Sequence, residues 1–325
     1  MRRKALCLAL AALFAVSTAV AAEDKYKIAC VLMEVENIFY QFIADGMKQA
    51  ARETGNELVV GNSEANVLTE AKLVDAYTAQ GIDAICISAF NSSASEAALR
   101  RAKRAGLIVV NFNTTMKRGM DFFVGADNFG LGSKNGKMIG EYVQNKLGGK
   151  AKAGLITISM FEVGVLRHEG FLSETSKIPG IEIVGMQDGR TPEEAQRATE
   201  AMLQAHPDIK IIWGSTDAAT TGILAAVRAK GMDKDVIVLA TDISPQLCRE
   251  LLDSSSPLMS IVAQRPEEMG YQAYMTALNV MQGETVAPQT LVPVDLYVKG
   301  DPKDEAGIRE WMKTHEVENM LKQMK

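Results

Sequence analysis

Histidine is scarce in this chain: the 325 residues include only His168, His206 and His315. No two of them have the close spacing that is typical of a metal site. The sequence also lacks a G-x-S-x-G nucleophile motif, a paired histidine–cysteine context and a G-x-x-x-x-G-K-S/T phosphate loop. These absences argue against hydrolase, metalloenzyme and nucleotide-dependent chemistry. We therefore expect a protein that is not an enzyme and that uses neither a cofactor nor a metal ion.

Blocks of like charge are missing as well. The chain carries 35 basic and 40 acidic residues, and without Arg2, Arg3 and Lys4 there remain 32 basic residues and a net charge of −8. A nucleic acid or an anionic membrane surface is bound by clustered positive charge, so we expect neither as a partner. After residue 22 no apolar run approaches the roughly 20 residues of a membrane span, which predicts a soluble mature protein.

Cysteine is also rare. Beyond residue 22 only Cys30, Cys86 and Cys248 occur, and none lies close to another in the sequence. Cys30 and Cys86 fall within β-branched runs, where a free thiol behaves as a small hydrophobic side chain. We expect three unpaired core thiols. A disulfide is the alternative, because an exported protein can form one.

The first 22 residues differ from the rest of the chain. A basic start at residues 2–4 precedes an apolar stretch at 5–16, and small residues then lead to Ala19-Val20-Ala21-Ala22. This order is typical of a secretory signal peptide, cleaved after Ala21 or Ala22. A membrane anchor is the alternative, but the apolar stretch is short for a span. We therefore predict an exported protein.

Short β-branched runs alternate with longer helical patterns along the remaining chain. The predicted strands are 27–32, 57–60, 84–87, 108–111, 122–125, 153–158, 182–186, 209–213, 236–240 and 258–262. The predicted helices are 39–54, 68–80, 93–105, 130–147, 166–177, 193–205, 218–230 and 266–281. Continuous apolar strands in such alternation favour parallel sheets covered on both faces. Because the alternation pauses at Gly148-Gly149, we predict an α/β fold with two similar lobes.

Local signals refine this picture. Ser93 with Glu96 predicts a capping box at the start of one helix, and Thr191-Pro192 predicts the start of another. Residues 305–322 form an amphipathic pattern that predicts a terminal helix. We expect this helix to pack on one lobe, with binding of a partner as the alternative.

A glycine-rich segment at 130–136 resembles a dinucleotide-binding loop only loosely, because Asn135 holds the place of its last glycine. Small residues at a helix start also permit close packing, which we expect here. Polar and aromatic residues, by contrast, follow several predicted strands at their carboxyl ends. Ligands of open α/β sheets bind at that edge. Asp217 and Asp242 are two such residues, and each has a helix cap as an alternative role.

At these strand ends the chain resembles the periplasmic sugar-binding proteins of ABC transporters, of the ribose-binding type, over about residues 26–298. The resemblance lies in a series of short motifs that occur in the family's order. They are Asn37-Ile38-Phe39-Tyr40 with Asp45-Gly46, Gly125-Ala126-Asp127-Asn128, Arg167-His168-Glu169-Gly170-Phe171, Ala205-His206-Pro207-Asp208, Asp242 and Gln264-Arg265-Pro266.

The resemblance implies two doubly wound parallel-sheet lobes joined by a three-crossing hinge, the type I periplasmic binding fold. Its implied division of the chain is a signal peptide at 1–22, a first lobe of 23–126 with 265–290, a second lobe of 127–264 with 291–300, and a helical extension at 301–325. The resemblance also implies a monomer that binds a monosaccharide or polyol between the lobes, in the periplasm, for an ABC transporter permease. Its implied ligand-binding residues are Asn37, Phe39, Tyr40, Asn113, Arg167, Arg190, Thr216, Asp242 and Gln264.

The chain also departs from the family's pattern. The usual Asp-Arg pair after the fourth strand is Asn113-Thr114 here, and the aromatic residue expected before Asp242 is Thr241. The stacking ring of the second lobe is therefore missing, unless Trp213 or Phe161 replaces it. These departures leave the identity of the ligand open. Arg190 with Arg167 keeps an acidic ligand among the alternatives, although Glu34 and Glu36 nearby argue against it.

A sensing role is a further alternative, because the same fold can present its closed form to a chemoreceptor or a sensor kinase. A cytoplasmic repressor shares the architecture, but it needs a DNA-binding helix-turn-helix ahead of the core. The predicted signal peptide occupies that place here.

Overall fold

A computed structural model describes residues 25–116 and 118–323. The predicted signal peptide lies outside these residues. The predicted strands and helices all lie within them and can be compared with the structure. In the first half of the chain the elements are β1 (Lys27–Leu32), α1 (Ile38–Thr54), β2 (Glu57–Asn62), α2 (Val67–Ala79), β3 (Ala84–Ile87), α3 (Glu96–Arg104), β4 (Ile108–Phe112), β5 (Phe122–Ala126) and α4 (Asn128–Lys146).

The same alternation continues through the second half of the chain. Its elements are β6 (Ala151–Thr157), α5 (Glu162–Thr175), β7 (Ile181–Asp188), α6 (Pro192–Ala205), β8 (Ile211–Gly214), α7 (Asp217–Ala229), β9 (Ile237–Thr241), α8 (Pro245–Leu252), β10 (Leu258–Ala263), α9 (Pro266–Met281), β11 (Gln289–Val292), β12 (Asp295–Val298) and α10 (Pro302–Gln323).

The strands form two six-stranded sheets with the same topology, which confirms the predicted α/β fold of two doubly wound lobes. Their strand orders are β11-β5-β4-β3-β1-β2 and β12-β10-β9-β8-β6-β7. All neighbouring strands are parallel except β12, which runs antiparallel to β10. We call the first sheet with α1–α3 and α9 the first lobe, and the second sheet with α4–α8 the second lobe. The chain crosses between them three times.

The crossings follow from strand pairing. The expected boundaries at 126 and 264 fall where the chain leaves one sheet for the other, and we keep them as a proposal. β11 pairs with β5 along its whole length. We therefore propose that the third crossing lies at residues 293–294 instead of between 290 and 291.

Each sheet is covered by helices on both faces, as its apolar strands require. In β3 and β8 every residue is buried. Cys30, Cys86 and Cys248 are all buried, and Cys30 and Cys86 carry free thiols, as expected from the sequence. Trp213 is fully buried and stacks on Phe171 with ring centroids 5.1 Å apart, so its ring belongs to the core of the second lobe.

The glycine-rich segment packs α4 against α5, as expected. A Cβ atom on Gly132 would lie 1.8 Å from the carbonyl oxygen of Arg167, and one on Gly170 would lie 2.0 Å from that of Phe129. Real atoms do not approach this closely, so glycine is required at both helix surfaces. The contact fixes the position of α5, which carries Arg167.

Three local expectations change. The capping box at Ser93 is wrong: α3 begins at Glu96, and Asn91 Oδ1 instead accepts from the backbone of Ser93 and Ala94. The helix start predicted at Thr191-Pro192 is confirmed, and Glu194 completes a capping box there that was not predicted. Helix α5 begins at Glu162, before the predicted residue 166. The short strands β11 and β12 were not predicted, because half-exposed four-residue segments carry little apolar pattern.

Helix α10 is present as predicted, but it does not pack on one lobe alone. Ile308 is buried in the core of the second lobe, whereas the ring of Trp311 contacts Phe42 of α1 in the first lobe. Within the residues described, no helix has the length and apolar character needed to cross a membrane.

Candidate functional site

A cleft of about 420 Å³ lies between the lobes, at the carboxyl ends of the parallel strands. All nine residues predicted from the sequence line it: Asn37, Phe39, Tyr40, Asn113, Arg167, Arg190, Thr216, Asp242 and Gln264. Nine other residues line it that are not among the predicted ligand-binding residues: Met33, Glu34, Thr114, Ile158, Phe161, Val163, Thr191, Asp217 and Ala218. The sequence had already indicated Asp217 at its strand end and Phe161 as an alternative stacking ring. Both lobes therefore contribute polar and apolar groups to one concave surface.

The first lobe contributes an aromatic corner. Asn37 caps α1, with its Oδ1 accepting from the backbone N–H of Phe39 at 2.9 Å. This cap places Phe39 and Tyr40 at the start of the helix, where their rings meet edge to face at 5.4 Å. Phe39 is half-buried, so part of its ring faces the cleft.

Tyr40 is held by a small polar network. Its hydroxyl accepts from Asn113 Nδ2 and lies 3.3 Å from both that atom and Ser88 Oγ. Burial raises the pKa of Tyr40 to about 12, so the phenol stays neutral. Asn113 is itself buried and has a left-handed backbone with φ of 63°. The network fixes a neutral hydroxyl and a carboxamide at the floor of the cleft.

The second lobe contributes a buried ion pair. Arg167 is 3 % exposed, and its Nη1 donates to Asp242 Oδ2 at 3.0 Å and to the carbonyl oxygen of Ser215 at 2.7 Å. Its Nε donates to Asn128 Oδ1 at 2.9 Å. Because several acceptors share the guanidinium charge, Arg167 has a fixed orientation at the cleft wall.

Asp242 also accepts from Gln264 Nε2 through its second oxygen, at 2.6 Å. Its role as a cap of α8 is excluded, because Ser244 caps that helix by accepting from Leu247. Gln264 lies on the crossing between the lobes, and its Oε1 is buried with no hydrogen-bond partner among the described residues. A buried acceptor of this kind is costly unless a partner reaches it, and Gln264 is one of the residues that line the cleft.

Arg190 and Glu34 form an ion pair across the mouth of the cleft. Glu34 follows β1 in the first lobe and Arg190 follows β7 in the second, so the pair joins the two lobes. Sequence analysis placed Arg190 at the site but did not pair it with Glu34. A second interlobe contact is the edge-to-face pair of Phe90 and Phe161, with centroids 6.0 Å apart. Phe161 thus brings an aromatic ring from the second lobe to the cleft, which Trp213 does not.

Thr216 and Asp217 occupy the amino end of α7. Thr216 is the cap, and its hydroxyl accepts from the backbone of Ala219 at 3.1 Å, which leaves its hydrogen free to donate. Asp217 is the first helical residue, so its expected alternative role as the cap is wrong. Burial, and then the charge of Asp242, raise the pKa of the Asp217 carboxyl from 3.8 to about 6.

A cleft between two such lobes, with paired polar groups over an aromatic corner, is the geometry of a binding site for a small polar molecule. The sequence profile of the periplasmic binding protein domain matches residues 28–285. The chain belongs to the periplasmic binding protein family.

Comparison with known proteins agrees with this assignment. The chain is 29% identical to the ABC transporter periplasmic-binding protein YphF of Escherichia coli K12 over 305 residues, which cover 91% of each chain. It is 28% identical to the ribose import binding protein RbsB of the same organism, over 84% of this chain and 90% of that one.

Among solved structures, it is similar to an ABC transporter periplasmic solute binding protein from Actinobacillus succinogenes 130z with bound D-allose. The TM-score is 0.81 at 22% identity, and the match covers 87% of this chain and all of the other. At this level of identity the likeness supports the fold alone. Both relatives are named as binding proteins, one of an ABC transporter and the other for ribose import.

Proposed function

We propose that this periplasmic binding protein captures a monosaccharide or polyol in the interlobe cleft and delivers it to the permease of an ABC importer. The observation that carries the proposal is the composition of the cleft: the ring of Phe39 offers an apolar face, while Asp242, Arg167 and Gln264 offer fixed hydrogen-bonding groups. A sugar ring presents these two surfaces, an apolar face of C–H groups and a rim of hydroxyl groups.

The nine predicted residues divide into roles under this proposal. Phe39 stacks on the sugar ring, and Tyr40 supports Phe39 while its hydroxyl holds Asn113 in place. Asp242 accepts from sugar hydroxyls, and the charge on its partner Arg167 strengthens those bonds. The lobes enclose the ligand by rotation about the crossings.

The names of the two relatives refer to transport and import, and neither favours the sensing alternative. Export through a signal peptide at 1–22, a periplasmic location and a monomeric state belong to the same proposal. Edman sequencing of the mature protein from a periplasmic extract tests the export step, and a start at Ala22 or Glu23 is the expected result. Recovery of only the full-length chain in the membrane fraction contradicts it.

The central experiment is isothermal titration of the mature protein with D-ribose, D-allose, D-arabinose and myo-inositol. We expect saturable one-to-one binding of at least one of these compounds and loss of most of that affinity in Phe39→Ala. Leu68→Ala is the matched control, since Leu68 is exposed and does not line the cleft. Absence of binding across a broader panel of neutral sugars and polyols would refute the proposal.

A further inference from the structure

The cations of the cleft are already neutralised by the protein itself. Among the described residues that line it, the only lysine, arginine or histidine residues are Arg167 and Arg190. Arg167 is paired with Asp242, and Arg190 is paired with Glu34. A carboxylate or phosphate on a ligand would therefore have to displace one of these two protein carboxylates.

Asp217 is the third carboxyl group of the cleft, and it differs from the other two. No described lysine, arginine or histidine forms an ion pair with it. Arg167 attracts its charge only at longer range, an effect that is smaller than the opposing effects of burial and of Asp242. With a pKa of about 6 it is still ionised at neutral pH. The two ion pairs and this carboxylate give the described lining of the cleft a net charge of −1.

We propose that Asp217 determines the charge specificity of the cleft, accepting hydrogen bonds from the hydroxyl groups of an uncharged ligand and excluding ligands that carry an acidic group. The inference rests on the proposed sugar-binding function and narrows it. It also decides against the acidic ligand that the sequence left open, since the two arginines on which that alternative depended are both occupied.

The test compares uncharged sugars with their acids at pH 7.5. D-ribose, D-allose and D-arabinose are titrated in parallel with D-ribonate, D-allonate and D-arabinonate. For a sugar that binds, we expect the acid to bind at least about 10-fold more weakly, because an additional buried like charge is unfavourable. Asp217→Asn should weaken binding of the sugar. It should also reduce the ratio of sugar affinity to acid affinity by a factor of about 10. Asp235→Asn is the matched control, since Asp235 is exposed, lies outside the cleft and removes the same charge.

The outcomes separate the two proposals. If a sugar and its acid bind equally well, and Asp217→Asn leaves the ratio of their affinities unchanged, the charge-specificity inference is wrong. The sugar-binding function then still stands. If Asp235→Asn changes the ratio as much as Asp217→Asn does, the effect is one of overall charge and the inference again fails. If no uncharged compound binds, the proposed function falls and the inference falls with it.

A second feature, independent of the ligand, is that helix α10 bridges the two lobes. Ile308 anchors it in the core of the second lobe, and Met312 packs against the same core. One turn further along, the ring of His315 stacks on Trp311 at 3.9 Å and meets Phe42 of the first lobe edge-on at 4.8 Å. His315 Nε2 also lies 2.5 Å from Glu267 Oε1, in the first turn of α9.

The position of this contact relates it to the hinge. A second cavity of about 600 Å³ lies between α10 and the crossing at Gln264 and Arg265. Gln264 lines both this cavity and the ligand cleft. A rotation of the lobes about the crossing therefore has to move Phe42 and Glu267 relative to α10, which is anchored in the other lobe.

From this geometry we infer that α10 is a brace, a helix that is anchored in the second lobe and contacts the first. The contacts of His315 with Phe42 and Glu267 stabilise the lobe arrangement seen here. The same arrangement carries the Glu34–Arg190 ion pair at the cleft mouth. Loss of the His315 contacts should therefore shift the population of lobe arrangements even without a ligand.

Pulsed electron paramagnetic resonance tests this in the ligand-free mature protein. Spin labels are attached to cysteines introduced at the exposed positions Ser93 and Glu193, one in each lobe, while the native thiols are buried. We expect His315→Ala to move the distance distribution toward longer interlobe distances. Lys313→Ala, an exposed position two residues earlier on the same helix, should leave the distribution as in the wild type.

Glu267→Gln serves as a milder second variant, because it keeps the shape of the side chain and removes only its charge. It should shift the distribution in the same direction as His315→Ala, to a smaller extent. Unchanged distributions in both variants would overturn the brace. A shift of equal size in Lys313→Ala would overturn it too, because the effect would then arise from the helix as a whole.

Discussion

Replacement of Asp217 by asparagine should stabilise the protein at neutral pH, although it removes a charged group from the proposed site. The carboxylate is ionised at pH 7.5 in a place where burial and the neighbouring charge of Asp242 oppose ionisation. Asparagine has nearly the same shape and no charge. The folded state therefore loses an electrostatic cost that the unfolded chain does not have.

The size of the effect follows from the two pKa values. The pKa of Asp217 is about 6 in the folded protein against an ordinary value of 3.8. One pKa unit corresponds to about 1.4 kcal/mol, so the cost at pH 7.5 is at most about 3 kcal/mol. Partial exposure reduces it, and the favourable contact of an acid with the amino end of α7 offsets about 0.3–1 kcal/mol. We expect a net gain of about 1–2 kcal/mol, or roughly 2–8 °C in Tm.

The sign of the pH dependence gives the sharper test. A carboxyl with a raised folded-state pKa destabilises the fold above that pKa, and the cost shrinks as the pH falls through about 6 toward 3.8. The stability advantage of Asp217→Asn over the wild type should therefore shrink between pH 7.5 and pH 5.0. At pH 5.0 roughly half of the cost is gone. Calorimetric melting of both proteins, with Asp235→Asn as control, measures this gap. A variant that melts below the wild type at pH 7.5, or a gap that is independent of pH, would refute the reasoning.

Three further predictions concern the walls of the cleft. Asp242→Asn should weaken binding of D-ribose, or of whichever tested sugar binds, by roughly 10- to 150-fold in titration calorimetry, the equivalent of a lost charge-assisted bond; unchanged affinity would place the ligand elsewhere. Glu34→Gln should weaken the same binding by less than about 5-fold, because the half-exposed pair with Arg190 contributes at most about 1 kcal/mol, and high salt should abolish the difference. Gly132→Ala should cost about 1–3 kcal/mol in denaturant unfolding, because the new methyl group meets the backbone of Arg167; Gly140→Ala on the same helix, whose nearest neighbour is a movable side-chain end, should cost less.

The sequence predicted β1 to β10 because most of these strands are short apolar runs bounded by turn residues, a pattern that β11 and β12 lack. Helix starts were harder where two signals compete. The residues at Ser93 fit the pattern of a capping box, but the backbone N–H groups of Ser93 and Ala94 donate to Asn91 Oδ1 instead. For α5 the sequence predicted a start at residue 166 and not at Glu162, because Gly164 disfavours helix. The structure needs it there, because a Cβ would lie 2.4 Å from the carbonyl oxygen of Ile158.

The sequence indicated nine of the described residues that line the cleft, but not the contacts between them. Strand ends are visible in the sequence, and each of them places its residues at the same edge of a sheet. The partner of Arg190 is 156 residues away in the chain, in the other lobe, and no local pattern encodes that contact. The charge balance of the cleft, and with it the distinct state of Asp217, depends on such pairings and becomes visible only in three dimensions.

Asn113 and Asp242 show how the fold itself restricts the chemistry of the cleft. They follow β4 and β9, which hold equivalent places in the two sheets, and both have left-handed backbones, with φ of 63° and 69°. Asparagine and aspartate are among the few residues besides glycine that adopt this conformation readily. They also carry a short polar group that a strand end directs toward the ligand. The same backbone geometry therefore admits a neutral amide in one lobe and a charged carboxylate in the other. Since only the carboxylate can form an ion pair with Arg167, the two lobes present different hydrogen-bonding groups to the cleft from equivalent places of one architecture.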